Sequence, residues 1–178
     1  MTEHQLETGL VQVYTGDGKG KTSAALGLAL RAVGHGLKVY MIQFIKGGFE
    51  YGELHAVKHL AGFKLRSFGS GRFIKEKPPK PADMEHARDA LQLAKDVVNS
   101  GDFDVVILDE INVAVDLALL EVEEVVKLVK NKPNHVELVL TGRYAPREII
   151  AAADLVTEMK EIKHPYRKGV RSRKGVEY

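Results

Sequence analysis

Val11-Gln12-Val13-Tyr14-Thr15-Gly16-Asp17-Gly18-Lys19-Gly20-Lys21-Thr22-Ser23 reads as a short buried strand, a glycine-rich turn and the start of a helix. The helix is expected from about Lys21 to Val33, with Gly34 as its stop. Such a turn cradles phosphates. Glycines let backbone N–H groups face inward, the helix N-terminus adds positive potential, and Lys21 adds a full charge. Gly16, Asp17, Gly18, Lys19, Gly20, Lys21 and Thr22 are therefore the expected phosphate cradle, with the Thr22 hydroxyl placed for a magnesium ion. A glycine-rich hairpin would explain the glycines but not two lysines at a helix start. The stretch departs from the usual G-x-x-x-x-G-K-[ST] pattern at one place, where Thr15 replaces the first glycine and Gly16 follows.

Working outward, Lys38 to Phe44 is expected as a second strand, apolar on both faces, as in a parallel sheet covered by helices. The helix between the two strands carries Ala24, Ala25, Leu28, Ala29 and Ala32 as an apolar stripe. This is a right-handed βαβ unit. Ligands bind outside the C-terminal ends of strands in such sheets, which makes Gln43 and Lys46 candidates for nucleotide contact. Arg31 lies off the stripe and reads equally as a solvated residue. A short helix is expected from Glu53 to Ala61, and a strand from Phe63 to Phe68. His55 and His59 are four apart, but no third ligand is near, so a solvated face is the better reading.

Residues 69–81 form the most irregular segment, with three prolines in four residues. It reads either as a functional loop or as a surface connection. Asp83 is expected to cap a helix to Asn99. Val105-Val106-Ile107-Leu108-Asp109-Glu110 is four apolar residues and two acids, the pattern of a strand that presents a carboxylate to the metal beside a phosphate loop. A helix from Glu121 to Lys130, a strand from Val136 to Leu140, a helix from Pro146 to Ala153 and a strand from Leu155 to Ile162 complete the chain. Arg143, just after the fifth strand, can reach a phosphate tail from the side opposite Lys21.

The 178 residues suit one α/β domain, with residues 1–9 and 165–178 expected as flexible ends. A net charge of +2 argues against a broad affinity for nucleic acid or membrane, and a basic tail reads as a solvated end or an anion-facing flap. No cysteine means no disulfide, which fits a cytoplasmic protein. No apolar run approaches the ~20 residues of a membrane span.

Together these stretches resemble the P-loop corrinoid adenosyltransferases. The resemblance rests on TGDGKGKTSAALGLALRAVGHG at 15–36, MIQFIKG at 41–47, VVILDEI at 105–111, LTGR at 140–143 and the ending DLVTEMKEIKHPYRKGVRSRKGVEY. It implies a three-layer RecA-like P-loop fold with a mainly parallel sheet, and a homodimer. It implies transfer of the 5′-deoxyadenosyl group of ATP to the cobalt(I) of a corrinoid, with triphosphate released. Carried over by motif, Ser23, Arg31 and Arg143 contact ATP, and Thr22 and Glu110 serve Mg2+ or Mn2+ with Asp109 behind Glu110. Lys21 and Arg143 stabilise the leaving triphosphate. A reductase such as a flavoprotein is the implied electron source. Where many members have Gly-x-Gly-Phe-x-Trp against the corrinoid, this chain has Gly69-Ser70-Gly71-Arg72-Phe73-Ile74, which makes Arg72, Phe73 and Ile74 the corrinoid-binding candidates. An ordinary P-loop ATPase or phosphotransferase and a RecA-like nucleic-acid module are the rival readings.

Overall fold

The computed structural model describes residues 6–48, 50–71, 74 and 79–178. Among them six strands form one sheet: β1 (Val11–Thr15), β2 (Val39–Gln43), β3 (Phe63–Ser67), β4 (Val105–Asp109), β5 (Glu137–Thr141) and β6 (Leu155–Glu158). Their order is β3-β2-β4-β5-β1-β6, and every neighbouring pair is parallel. Helices α1 (Lys21–Gly34), α2 (Gly52–Ala56), α3 (Pro81–Asn99), α4 (Ile111–Asp116), α5 (Val122–Asn131) and α6 (Arg147–Ala152) connect them.

The central strands β2, β4 and β5 are mostly apolar on both faces because both are covered. Side chains alternate along a strand. Val105 and Ile107 therefore pack with Ala25, Ala29 and Val139 beneath α1, while Val106 and Leu108 pack with Ala90, Leu91, Val125 and Ile149 from α3, α5 and α6. The buried stripe of α1 is Lys21, Ala25, Ala29 and Ala32. Alanine there lets the helix lie close on the sheet, and it puts Lys21 at the strand ends.

Several boundaries differ from expectation. Asp83 does not cap α3, which begins at Pro81, whose fixed φ suits the first helical position. Asp83 is instead buried and accepts a hydrogen bond from Ser70 Oγ at 2.9 Å. The 53–61 helix is an α-turn followed by a 3₁₀ turn at Val57–His59. Pro146 stands just before α6 rather than inside it. The last strand stops at Glu158, because Met159 turns onto the glycine-rich loop: its carbonyl accepts from Gly18 N–H at 2.6 Å. Helix α4 was not anticipated. It is too short to show helical periodicity.

Candidate active site

The alternation that builds the core also builds the site. Gln43, Asp109 and Thr141 end β2, β4 and β5, and each lies two residues beyond a core residue that packs under α1: Met41, Ile107 and Val139. All three consequently face the first turn of α1, and all three are fully buried. Asp109 is the hub. Its Oδ1 accepts from the Thr22 hydroxyl at 2.8 Å and from the Thr141 hydroxyl at 2.7 Å. Its Oδ2 accepts from the Lys46 ammonium at 2.8 Å and from Gln43 Nε2 at 3.3 Å.

Thr141 passes this order on to Glu110. While its hydroxyl donates to Asp109, its oxygen accepts from Glu110 N–H at 3.0 Å. Glu110 sits at φ 62°, a left-handed conformation a glutamate adopts only when its surroundings hold it there. Burial raises the Glu110 carboxyl above the ordinary glutamate range, Asp109 pushes it further up, and the cations Lys46, Lys21 and Arg143 oppose the shift. Lys46 is shifted upward: burial disfavours its charge, but the Asp109 carboxylate outweighs that cost.

Lys21 is 7% exposed, and its ammonium curls into the loop, donating to the carbonyls of Gly16 and Gly18 at 2.7 Å each. Burial lowers its pKa, an effect partly offset by Glu110. Gly16, at φ 93°, has no room for a side chain: a Cβ would lie 2.5 Å from Met159 O. Lys21, Thr22, Lys46, Glu110 and Arg143 border one cavity of about 640 Å³. Its far wall is the tail. There Glu177 pairs with Arg173 at 3.0 Å and with Lys19 at 3.0 Å; chiefly Arg173, and then Lys19, hold its carboxyl down at about 2. Residues 165–178, expected as a flexible end, thus carry a 3₁₀ turn and fold back over the phosphate loop.

Gly18, Lys19, Gly20, Lys21, Thr22 and Ser23 all border the cavity, as do Lys46, Glu110 and Arg143. Asp17 turns aside, accepting from Glu161 N–H at 3.2 Å. Gln43 spends its amide internally, accepting from Ser67 at 2.5 Å and donating to Glu53 and Asp109. Arg31 is not brought to this cavity. It borders a separate depression with Leu28 and His35, near the other end of α1. Ile74 packs against the core on the α3 side of the sheet. Arg72 and Phe73 lie outside the described residues. The sequence pattern does not single out Thr141, Ser67 or Glu177, which complete the site. The LTGR stretch contains Thr141, but residue type alone does not mark a hydroxyl that bridges Asp109 and the Glu110 amide.

The turn that presents Arg143 tolerates no side chain at Gly142. It lies at φ 132°, and a Cβ would stand 3.0 Å from Asn112 Cβ and from Val113 N. Gly142→Ala is expected to strain this turn by about 1–3 kcal/mol and to weaken ATP binding by displacing Arg143. Parallel measurements of thermal stability and ATP affinity check this, and an unchanged affinity would separate the turn from the nucleotide.

A glycine-rich loop at a helix start, a lysine folded into it and a strand ending in Asp-Glu beside its threonine define a P-loop nucleotide-binding protein. The fold agrees. The structure superposes on the RadB recombinase with a TM-score of 0.56, covering 90% of this chain and 78% of that one at 15% identity. Residues 7–178 match the family ATP:corrinoid adenosyltransferase BtuR/CobO/CobP, and the chain belongs to that family. It is 40% identical to a corrinoid adenosyltransferase of Sinorhizobium sp, over 97% of this chain and 81% of the relative. It is 37% identical to the corrinoid adenosyltransferase of Escherichia coli K12, over 100% of this chain and 90% of the relative.

Proposed function

We infer that this chain transfers the 5′-deoxyadenosyl group of ATP to the cobalt(I) of a corrinoid and releases triphosphate. The observation that carries the reading is the family match over residues 7–178, joined to a cavity walled by the phosphate loop, Glu110 and Arg143. Cobalt(I) is the nucleophile. Its electron pair forms the bond to the ribose 5′ carbon as the bond from that carbon to the triphosphate oxygen breaks, and the pair from that bond leaves with the triphosphate. No side-chain nucleophile or base is required. The protein's work is to position the 5′ carbon, to stabilise charge on the leaving group and to keep water from the cobalt.

Loop amides and the helix start hold the triphosphate, Lys21 and Arg143 carry its charge from two sides, and Lys19 and Ser23 stand at the rim. A divalent cation, Mg2+ or Mn2+, fits the residues present. Thr22 and Glu110 offer oxygen donors to one cavity, and Mg2+ takes one or two carboxylates plus substrate phosphates rather than a full protein cage. Thr22 and Glu110 would hold it, with Asp109 fixing both, and when bound it supplies Lewis-acid stabilisation of phosphate charge. Arg72, Phe73 and Ile74 are proposed on the corrinoid side. The chain is proposed to work as one domain, as a cytoplasmic homodimer, with a flavoprotein-type reductase supplying the electron.

Identifying the product tests the reaction. ATP and a chemically reduced corrinoid are expected to yield adenosylcorrinoid and inorganic triphosphate in equal amounts. Diphosphate with a phosphorylated acceptor would instead establish an ordinary P-loop phosphotransferase. The nucleic-acid reading is not favoured: in the tail, Arg173 pairs with Glu177, and Arg167 pairs with Glu161 at 2.6 Å.

A further inference from the structure

Lys46 lies in the turn after β2, and its side chain is only 14% exposed. Its ammonium stands 2.8 Å from Asp109 Oδ2 and donates to Thr22 Oγ1 at 3.1 Å. A full positive charge therefore already stands against Thr22 Oγ1, one of the two oxygens proposed to receive a divalent cation. The cause is electrostatic. Asp109 is fully buried, and its hydroxyl and amide donors satisfy its oxygens without cancelling its charge. A buried charge is costly unless a counter-charge pairs with it.

The same contact competes with a metal. The Thr22 hydroxyl donates its proton to Asp109 and lends a lone pair to Lys46. A metal on that oxygen would stand close to the ammonium already hydrogen-bonded to it, and two cations so close repel. Lys46 has other partners within reach. Its ammonium lies 5.3 Å from the centroid of the Tyr51 ring, and Tyr51 and Glu53 border the same cavity.

We propose that Lys46 is a resident cation that keeps Thr22 and Asp109 in place while the site holds no nucleotide, and that a divalent cation arriving with ATP drives it out toward Tyr51, Glu53 and the incoming phosphates. Lys46 is on this account a positioning residue. The proposal rests on the reading that Thr22 and Glu110 receive the metal.

The test uses the full chain without nucleotide and Mn2+ alone as probe, followed by electron paramagnetic resonance. Lys46→Met and Lys46→Gln are expected to bind Mn2+ at least about tenfold more tightly than the wild type, the scale on which one close charge shifts another's equilibrium. Lys46→Arg is expected to bind it no more tightly. Lys46→Met is also expected to melt lower than the wild type without metal and to recover as Mn2+ is added, a recovery that loss of a purely structural contact would not give. Equal, weaker or undetectable Mn2+ binding in whichever of the Met and Gln variants folds would overturn the proposal. Adding Glu110→Gln to Lys46→Gln is expected to remove the gain. A gain that survives it would transfer the metal contact from Glu110 to Asp109, refuting that part of the proposed function and leaving the displacement of Lys46 standing.

Discussion

Lys21→Ala is expected to lower adenosyl transfer by at least ~10²-fold while leaving the protein folded. The ammonium lies inside the loop, and it is held there by two carbonyls rather than by an acid. It is bonded to no carboxylate among the described residues, although Glu110 lies near enough to favour its charge, so the ammonium remains open to an anion. Burial already works against its charged form, so an anion entering the loop relieves a cost as well as adding an attraction. Folding should survive because Gly18 borders the open cavity and Ala25, Ala29 and Ala32 still seat α1. Single-turnover rates, ATP affinity and circular dichroism together check this. A folded variant with unchanged turnover would remove Lys21 from the reaction.

The two acids of β4 and its following turn should fail in different ways. Glu110 borders the cavity, whereas Asp109 does not reach solvent. Glu110→Gln is expected to leave the melting temperature close to that of the wild type and to weaken magnesium-dependent ATP binding by about tenfold or more, since a charged oxygen ligand is lost. Asp109→Asn strips the Lys46 ammonium of its counter-ion and places an amide N–H₂ against the donors of Thr22 and Thr141. The expected cost is about 3 kcal/mol of stability, toward the low end for breaking a buried ion pair because Lys46 is partly open to the cavity. Magnesium titrations of ATP binding and thermal melts on both variants separate the roles. If Asp109→Asn melts normally and loses the metal dependence, the two acids must exchange places.

The phosphate loop and the parallel sheet were legible because each rests on local pattern. Gly16 to Thr22 carries its function in residue type and spacing, and strands such as Val105 to Leu108 announce themselves by being apolar on both faces. Asp109 was legible as the end of such a strand, but its true partners were not. Thr22, Gln43 with Lys46, and Thr141 come from three places in the chain and meet only because the strand order sets β2, β4 and β5 side by side. Arg31 shows the reverse case. It belongs to a recognisable stretch, yet ten residues of helix carry it about 15 Å along the axis from Lys21, away from the cavity. The tail misled for a third reason: its basic composition hid Glu177, the acid that ties it to Lys19.

The position of β1 has a consequence for how the protein comes into being. The strand that leads into the phosphate loop is made first but sits between β5 and β6, which are made last. A ribosome that has released β1, α1 and β2 has therefore released a phosphate loop with no sheet to hold it. The nucleotide site can assemble only after Glu137–Thr141 has emerged, and its lower edge only when Met159 reaches Gly18. Such long-range closure slows folding. The phosphate loop and Asp109 gain their common frame only when β5 joins β1 to β4.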